Sequence, residues 1–262
     1  MRRLGQHFLT SQSVAKKIAD VACIVPHDII LEIGPGKGML TDAILKHNPK
    51  KIIAVEKDKN LARLLRQKYA NESRIEIIEG DIRTILHQSS FAKKLGDNYK
   101  VVANIPYYLT SFLIRLLLEN DLAKPKYIVL MVQKEVAERM IACAPRMNLL
   151  ALAVQTYGTP KIIFRVSRKY FKPQPKVDST IIAIDRISEK FFKMINKEKF
   201  FLLLRAGFRS KRKLLANNLA HVGTTKGKIR ICLHICGIDA HARAENLTLP
   251  QWKCLSSLYP HK

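Results

Sequence analysis

Acidic side chains are scarce in this 262-residue chain: 21 Asp and Glu stand against 46 Lys and Arg, for a formal net charge of +25. Long apolar runs are missing too. None approaches the roughly 18 residues that a membrane-crossing helix needs, which excludes an integral membrane protein. The opening stretch Met1-Arg2-Arg3-Leu4-Gly5-Gln6-His7 has charge but no apolar segment behind it, so a cytoplasmic location is expected rather than export. Cysteine is sparse and odd in number, at positions Cys23, Cys143, Cys232, Cys236 and Cys254. That reads as no disulfide framework and fits a reducing compartment. Cys232-Leu-His234-Ile-Cys236 lacks the second ligand pair of a structural zinc site, so these residues read as small buried hydrophobes and no metal is expected. Repeats and low-complexity tracts are absent, and 47% hydrophobic with 26% charged residues is ordinary globular composition, which excludes a disordered chain.

What is present in excess is positive charge, and a polyanion relieves its self-repulsion. Basic membrane-surface proteins concentrate charge on a long amphipathic helix, and none is visible, so nucleic acid is the expected partner. The charge is also uneven. Residues 188–262 carry 15 basic and 4 acidic side chains, about twice the charge density of the preceding part.

Along the chain, short apolar runs alternate with amphipathic stretches. Ile29–Leu31, Lys51–Val55, Ile75–Ile78, Lys100–Ala103 and Tyr127–Val132 read as strands. Thr10-Ser11-Gln12-Ser13 reads as the cap of a helix with Val14, Ile18, Val21 and Ala22 on one face. Met39–His47, Asp58–Tyr69, Ser111–Leu118, Lys134–Cys143 and Asn148–Tyr157 read as further helices. Such alternation implies a mostly parallel sheet covered on both faces. Lys161–Val166 and Ser179–Ile187 then form a hairpin-like pair, which predicts an antiparallel edge. Beyond Glu189 every pattern is helical. The expected organisation is an α/β domain over 1–187 and a small all-helical, RNA-binding domain over 188–262.

Ligands of open parallel sheets sit beyond the carboxyl ends of the strands. The first strand ends in Glu32-Ile33-Gly34-Pro35-Gly36-Lys37-Gly38, where glycines let the backbone approach a ligand. The spacing is neither the dinucleotide pattern nor a phosphate loop. The second strand ends at Glu56, placed to accept both ribose hydroxyls of a nucleoside. The third ends at Asp81-Ile82, where an acid can accept from an adenine amino group. Each acid alone could instead cap the next helix. Together the three strand ends describe S-adenosylmethionine better than NAD.

The fourth strand ends in Asn104-Ile105-Pro106-Tyr107. An exocyclic adenine nitrogen is a poor nucleophile that needs no strong base but does need acceptors to orient its lone pair. The Asn104 side chain and the Ile105 backbone carbonyl supply them, and Tyr107 offers a stacking face. In isolation the same residues read equally as an Asn-Pro loop beside core tyrosines.

Gly5-Gln6-His7-Phe8-Leu9, Glu32–Gly38, Glu56, Gly80-Asp81, Asn104–Tyr107, Phe171-Lys-Pro-Gln-Pro-Lys-Val-Asp178-Ser179, Arg205–Leu219 and Arg243-Ala-Glu245 follow in order. This set resembles the KsgA family of small-subunit ribosomal RNA adenine-N6,N6-dimethyltransferases over essentially the whole chain. The resemblance implies a Rossmann-like class I methyltransferase sheet and S-adenosylmethionine as methyl donor. It implies cofactor contacts at His7, Leu9, Gly34, Gly36, Glu56, Asp81, Ile82 and Asn104. It implies a catalytic group of Asn104, Ile105, Pro106, Tyr107 and Phe171, with Phe171 as a surface ring stacking on a flipped adenine. Arg209, Lys211, Arg212 and Lys213 are the expected RNA contacts, and an immature small ribosomal subunit met by a monomer is the expected partner. His7 and Ile105 depart from the commoner Asn and Leu, and the basic arm before Gly5 is short. Two other readings share these residues: a large-subunit adenine methyltransferase of the antibiotic-resistance type, and a non-catalytic assembly or transcription factor. Val177-Asp178-Ser179 and the Arg209–Asn218 tail weigh against the first, and intact Glu56, Asp81 and Asn104 against the second.

Overall fold

The computed structural model describes residues 7–119, 124–220 and 225–259; Gly5, Gln6 and the short basic arm lie outside these. The chain divides into two compact units, residues 1–138 with 158–187, and residues 139–157 with 188–262.

The first unit holds strands β1 (Phe8–Leu9), β2 (Ile29–Ile33), β3 (Lys51–Glu56), β4 (Ile75–Glu79), β5 (Tyr99–Asn104), β6 (Tyr127–Gln133), β7 (Thr159–Val166), β8 (Phe171–Lys172) and β9 (Ser179–Asp185). Its helices are α1 (Gln12–Val21), α2 (Met39–Leu45), α3 (Lys59–Lys68), α4 (Ile82–Ile85), α5 (Ser89–Leu95), α6 (Thr110–Glu119) and most of α7 (Lys134–Met140), whose last two residues fall in the second unit. Seven strands form one sheet in the order β4-β3-β2-β5-β6-β9-β7. From β4 through β6 all neighbours are parallel, and β9 and β7 close the edge antiparallel. The near-continuous apolar runs in β2, β3, β5 and β6 are what a sheet buried on both faces requires. Ile30, Ile52, Val102 and Val129 are fully buried. The expected cap at the first helix is present, with Ser11 Oγ accepting from the Val14 amide. Periodicity did not reveal β1 and β8, which pair antiparallel as a separate two-stranded sheet with Leu9 opposite Phe171. Two-residue strands are too short to carry a period.

The regular elements of the second unit are all helical among its described residues: α8 (Leu149–Gln155), α9 (Lys197–Gly207), α10 (Leu215–Leu219), α11 (Lys226–Ile235) and α12 (Leu249–Leu258), with two short 3₁₀ turns and irregular loops between. Trp252 on α12 is fully buried and stacks on Phe208 at 5.7 Å between centroids. Gly207 makes this contact possible, because a Cβ there would stand 2.5 Å from the indole. Tyr157 joins the same unit, its ring 5.2 Å from Phe192. The expectation of a first domain running unbroken to residue 187 is therefore corrected: residues 139–157 pack with the helical unit. Helical amphipathicity says that α8 is buried, not which core buries it. The cysteine reading also changes. Cys236, at the end of α11, is disulfide-bonded to Cys254 on α12, with Cα atoms 5.8 Å apart. Packing of the two helices brings together residues that have no motif spacing. Cys232 is buried, as read.

Candidate active site

Strands β4, β3, β2 and β5 are adjacent in the sheet, so their carboxyl ends form a row. From β2 the chain winds outward through β3 to β4 and then returns to place β5 on the other side of β2, which makes this the switch point where open α/β sheets bind ligands. A cavity lies there. Its lining includes every residue singled out as cofactor-binding or catalytic: His7, Leu9, Gly34, Gly36, Glu56, Asp81, Ile82, Asn104, Ile105, Pro106, Tyr107 and Phe171.

The glycine loop is shaped for close approach. Gly36 has φ of 61°, and a Cβ on it would meet the Phe8 ring at 3.1 Å, so a side chain there is both strained and obstructed. Glu56 is buried at the end of β3. One carboxylate oxygen accepts from the Gly36 amide at 3.0 Å and the other from the Asp58 amide at 2.9 Å. The acid thus ties the glycine loop to the neighbouring strand end. Glu56 is not the cap of α3; Asp58 is, accepting from Asn60 and Leu61. Asp81 does cap α4, accepting from the Arg83 amide at 3.0 Å. The Arg83 guanidinium, helped by Lys57 at 3.1 Å, holds the Asp81 carboxyl well below the usual carboxylate range. It is therefore a fixed anion, able only to accept.

Asn104 ends β5 half-buried, and Ile105 beside it is buried. Tyr107 opens a 3₁₀ turn leading into α6. Its hydroxyl lies 2.9 Å from Ser179 Oγ, and its ring is tilted 31° to His7 at 5.7 Å. Burial raises the phenol pKa, so the hydroxyl stays protonated. The His7 Nδ1 lies 2.7 Å from the Pro173 carbonyl. A carbonyl only accepts, so Nδ1 carries a proton and donates it to this contact. Phe171 is not the surface ring that its proline-rich segment suggests. It is 5% exposed, because β8 pairs with β1 and presses the ring into the core beside Leu9 and Ile181, while it still lines the cavity.

Glu32 was missed as a site residue. It is 1% exposed on central strand β2, lines the cavity, and neither carboxylate oxygen has a hydrogen-bond partner. Burial pushes its carboxyl up to about 8, with the Thr41 hydroxyl opposing. The signal was available: an acid inside Ile29-Ile30-Leu31-Glu32-Ile33 sits in a strand buried on both faces, where an acid needs a reason.

In the helical unit, Arg209, Lys211, Arg212 and Lys213 are all exposed. They ride on the turn between α9 and α10, which buried Asn218 pins by donating to the carbonyls of Gly207 at 2.6 Å and Ser210 at 3.0 Å.

Known proteins resemble this chain along its length. Residues 1–259 match the family model described as ribosomal RNA adenine dimethylase. A ribosomal RNA small subunit methyltransferase A from Dehalococcoides mccartyi is 41% identical over 259 residues, covering 98% of this chain and 87% of the relative. One from Fusobacterium nucleatum is 38% identical, covering 96% and 94%. Among solved structures, a dimethyladenosine transferase from Plasmodium falciparum superposes with a TM-score of 0.76 at 28% identity, covering 95% of this chain and 96% of that one. The 23S rRNA methyltransferase ErmE superposes with a TM-score of 0.73 at 23% identity, covering 96% and 98%, and so shares the fold. A cavity at the strand ends of a class I methyltransferase sheet and a family match over residues 1–259 agree: the protein is a methyltransferase belonging to the ribosomal RNA adenine dimethylase family.

Proposed function

We propose that the chain uses S-adenosylmethionine to dimethylate N6 of two adjacent adenines in a hairpin near the 3′ end of small-subunit rRNA, as a monomeric cytoplasmic factor in ribosome biogenesis. One observation carries the reading: four neighbouring strand ends bring the glycine loop, Glu56, Asp81 and Asn104 to a single cavity.

The residues present fit the cofactor. Gly36 leaves a cradle that a Cβ would obstruct, and Glu32 holds a buried carboxyl whose oxygens have no hydrogen-bond partner. Glu56 would take the ribose hydroxyls, Asp81 the adenine amino group, and His7, Leu9, Gly34 and Ile82 the rest of the molecule. When bound, the cofactor supplies a methyl group on a positively charged sulfur. The chain's own work is orientation. The Asn104 side-chain oxygen and the Ile105 carbonyl accept from the target amino group and aim its lone pair, while Tyr107 and Phe171 hold the flipped base by its faces. No strong base is needed, because the nitrogen's proton becomes acidic once the methyl is attached. Arg209, Lys211, Arg212 and Lys213 in the helical unit grip RNA phosphates.

The test is transfer of labelled methyl groups to immature small subunits and, separately, to large-subunit RNA. Labelled dimethyladenine in small-subunit RNA alone is the expected result. Label in large-subunit RNA would make this a resistance-type enzyme, and no label would leave a non-catalytic RNA-binding factor. Asn104→Ala should lower turnover by orders of magnitude with RNA affinity nearly constant; robust methylation by that variant would remove its proposed role.

A further inference from the structure

Ser179 is the first residue of β9 and is completely buried. Its backbone is fixed from both sides, since β9 lies between β6 and β7 and Ser179 stands opposite Gln133 on one and Val166 on the other. The residue before it is anchored as well: the Asp178 carbonyl accepts from the Lys134 amide at 3.1 Å, and Asp178 Oδ1 accepts from the Arg168 amide at 2.9 Å. From this rigid position the Ser179 hydroxyl meets the Tyr107 hydroxyl at 2.9 Å. Tyr107 itself stands on a 3₁₀ turn, a less constrained support than a central strand. Its ring also meets His7, which is held by Pro173 from the same segment that ends in Ser179.

We propose that Ser179 is a positioning residue for methyl transfer: its hydroxyl anchors the far end of the Tyr107 ring and so holds in place the face against which the target adenine stacks. The inference rests on the reading of Tyr107 as the stacking face. A phenyl ring turns about its χ2 axis in a broad, two-fold well. The phenol oxygen lies on that axis, so a hydrogen bond from it to a buried atom on the sheet leaves χ2 alone but fixes where the axis points, holding the ring against swings about χ1. The tether acts on orientation, so it belongs to the chemical step. Contacts that bring the RNA or the cofactor to the enzyme are made by other atoms.

Four variants separate the possibilities, each first checked for an unchanged melting temperature and circular dichroism spectrum: Ser179→Ala, Tyr107→Phe, the double variant, and Tyr107→Ala. Removing both hydroxyls together leaves no unpaired buried group, so the double variant folds even if one single variant is strained. The expected result is a loss of about tenfold in kcat for Ser179→Ala and for Tyr107→Phe, with KM for the immature subunit and Kd for S-adenosylmethionine unchanged. The double variant should lose no more than either single one, since one bond is broken in all three. Wild-type kcat in Ser179→Ala and Tyr107→Phe, with Tyr107→Ala severely impaired, overturns the positioning role and leaves the stacking role intact. Additive losses in the double variant overturn it too. An active Tyr107→Ala enzyme removes the stacking reading itself.

Discussion

At the scale of single residues, the two buried acids of the cavity behave differently. Glu56 is satisfied by two backbone amides and remains an acceptor for further donors. Replacing it with Ala should weaken S-adenosylmethionine binding by about 1.5–3 kcal/mol, through lost charge-assisted hydrogen bonds and a loosened Gly36; titration calorimetry reads this directly, and an unchanged Kd would show that the acid serves only the loop. Glu32 has no such partners, and its carboxyl titrates near 8 against an ordinary value of 4.5. Below pH 4.5 both folded and unfolded chains hold this proton. Between 4.5 and 8 the unfolded chain gives it up while the folded chain keeps it, so stability falls as pH rises, at up to about 1.4 kcal/mol per pH unit. Glu32→Gln, which imitates the neutral form, should match the wild type in melting temperature near pH 5 and exceed it near pH 8. Parallel melting curves across that range would show an ordinary carboxyl. Strand ends were legible from sequence because a polar residue closing an apolar run is conspicuous. Glu32 was overlooked because it sits within the run, and Phe171 was misplaced because its flanking prolines suggested an exposed loop where the chain instead adds a short strand.

At the scale of elements, the apolar runs and the helix cap were readable because each carries its signal within a few residues. Pairings between distant residues do not. Thr10 donates to the Tyr170 carbonyl at 2.8 Å, and Leu9 pairs with Phe171, across most of the first unit's sequence. Cys236 and Cys254 meet through helix packing alone. The turn between α9 and α10 shows how an element depends on one such residue. Asn218 donates to two carbonyls of that turn from a buried position. Asn218→Ala leaves both carbonyls short of a donor, at a cost of about 1–3 kcal/mol. The variant should melt earlier and bind RNA less tightly, with cofactor affinity unmoved. Unaltered RNA binding at full folding would mean that the turn keeps its shape without the asparagine.

At the scale of the whole molecule, the excess charge is the property that composition alone announced. A cluster of Arg209, Lys211, Arg212 and Lys213 on an exposed turn concentrates it. Each phosphate contacted adds roughly 0.7–0.9 to the slope of log affinity against log salt. Changing Arg209, Arg212 and Lys213 to Gln should weaken rRNA binding and flatten that slope, without altering S-adenosylmethionine affinity. Binding assays at several salt concentrations decide it. If affinity and slope both survive, the cluster serves solubility and the phosphate contacts lie elsewhere.

The helical unit is assembled from two separated stretches of chain, 139–157 and 188–262, and this has a consequence for biosynthesis. Translation delivers α8, with Leu152 and Val154 fully buried in the finished protein, well before Phe192 and Phe201, which meet Tyr157. During those seconds on the ribosome the helix has no core to enter, and its apolar surface is open to chaperones or to other nascent chains. A polypeptide stopped at Ile187 would stay in that condition permanently, and should accumulate as aggregate instead of a soluble methyltransferase.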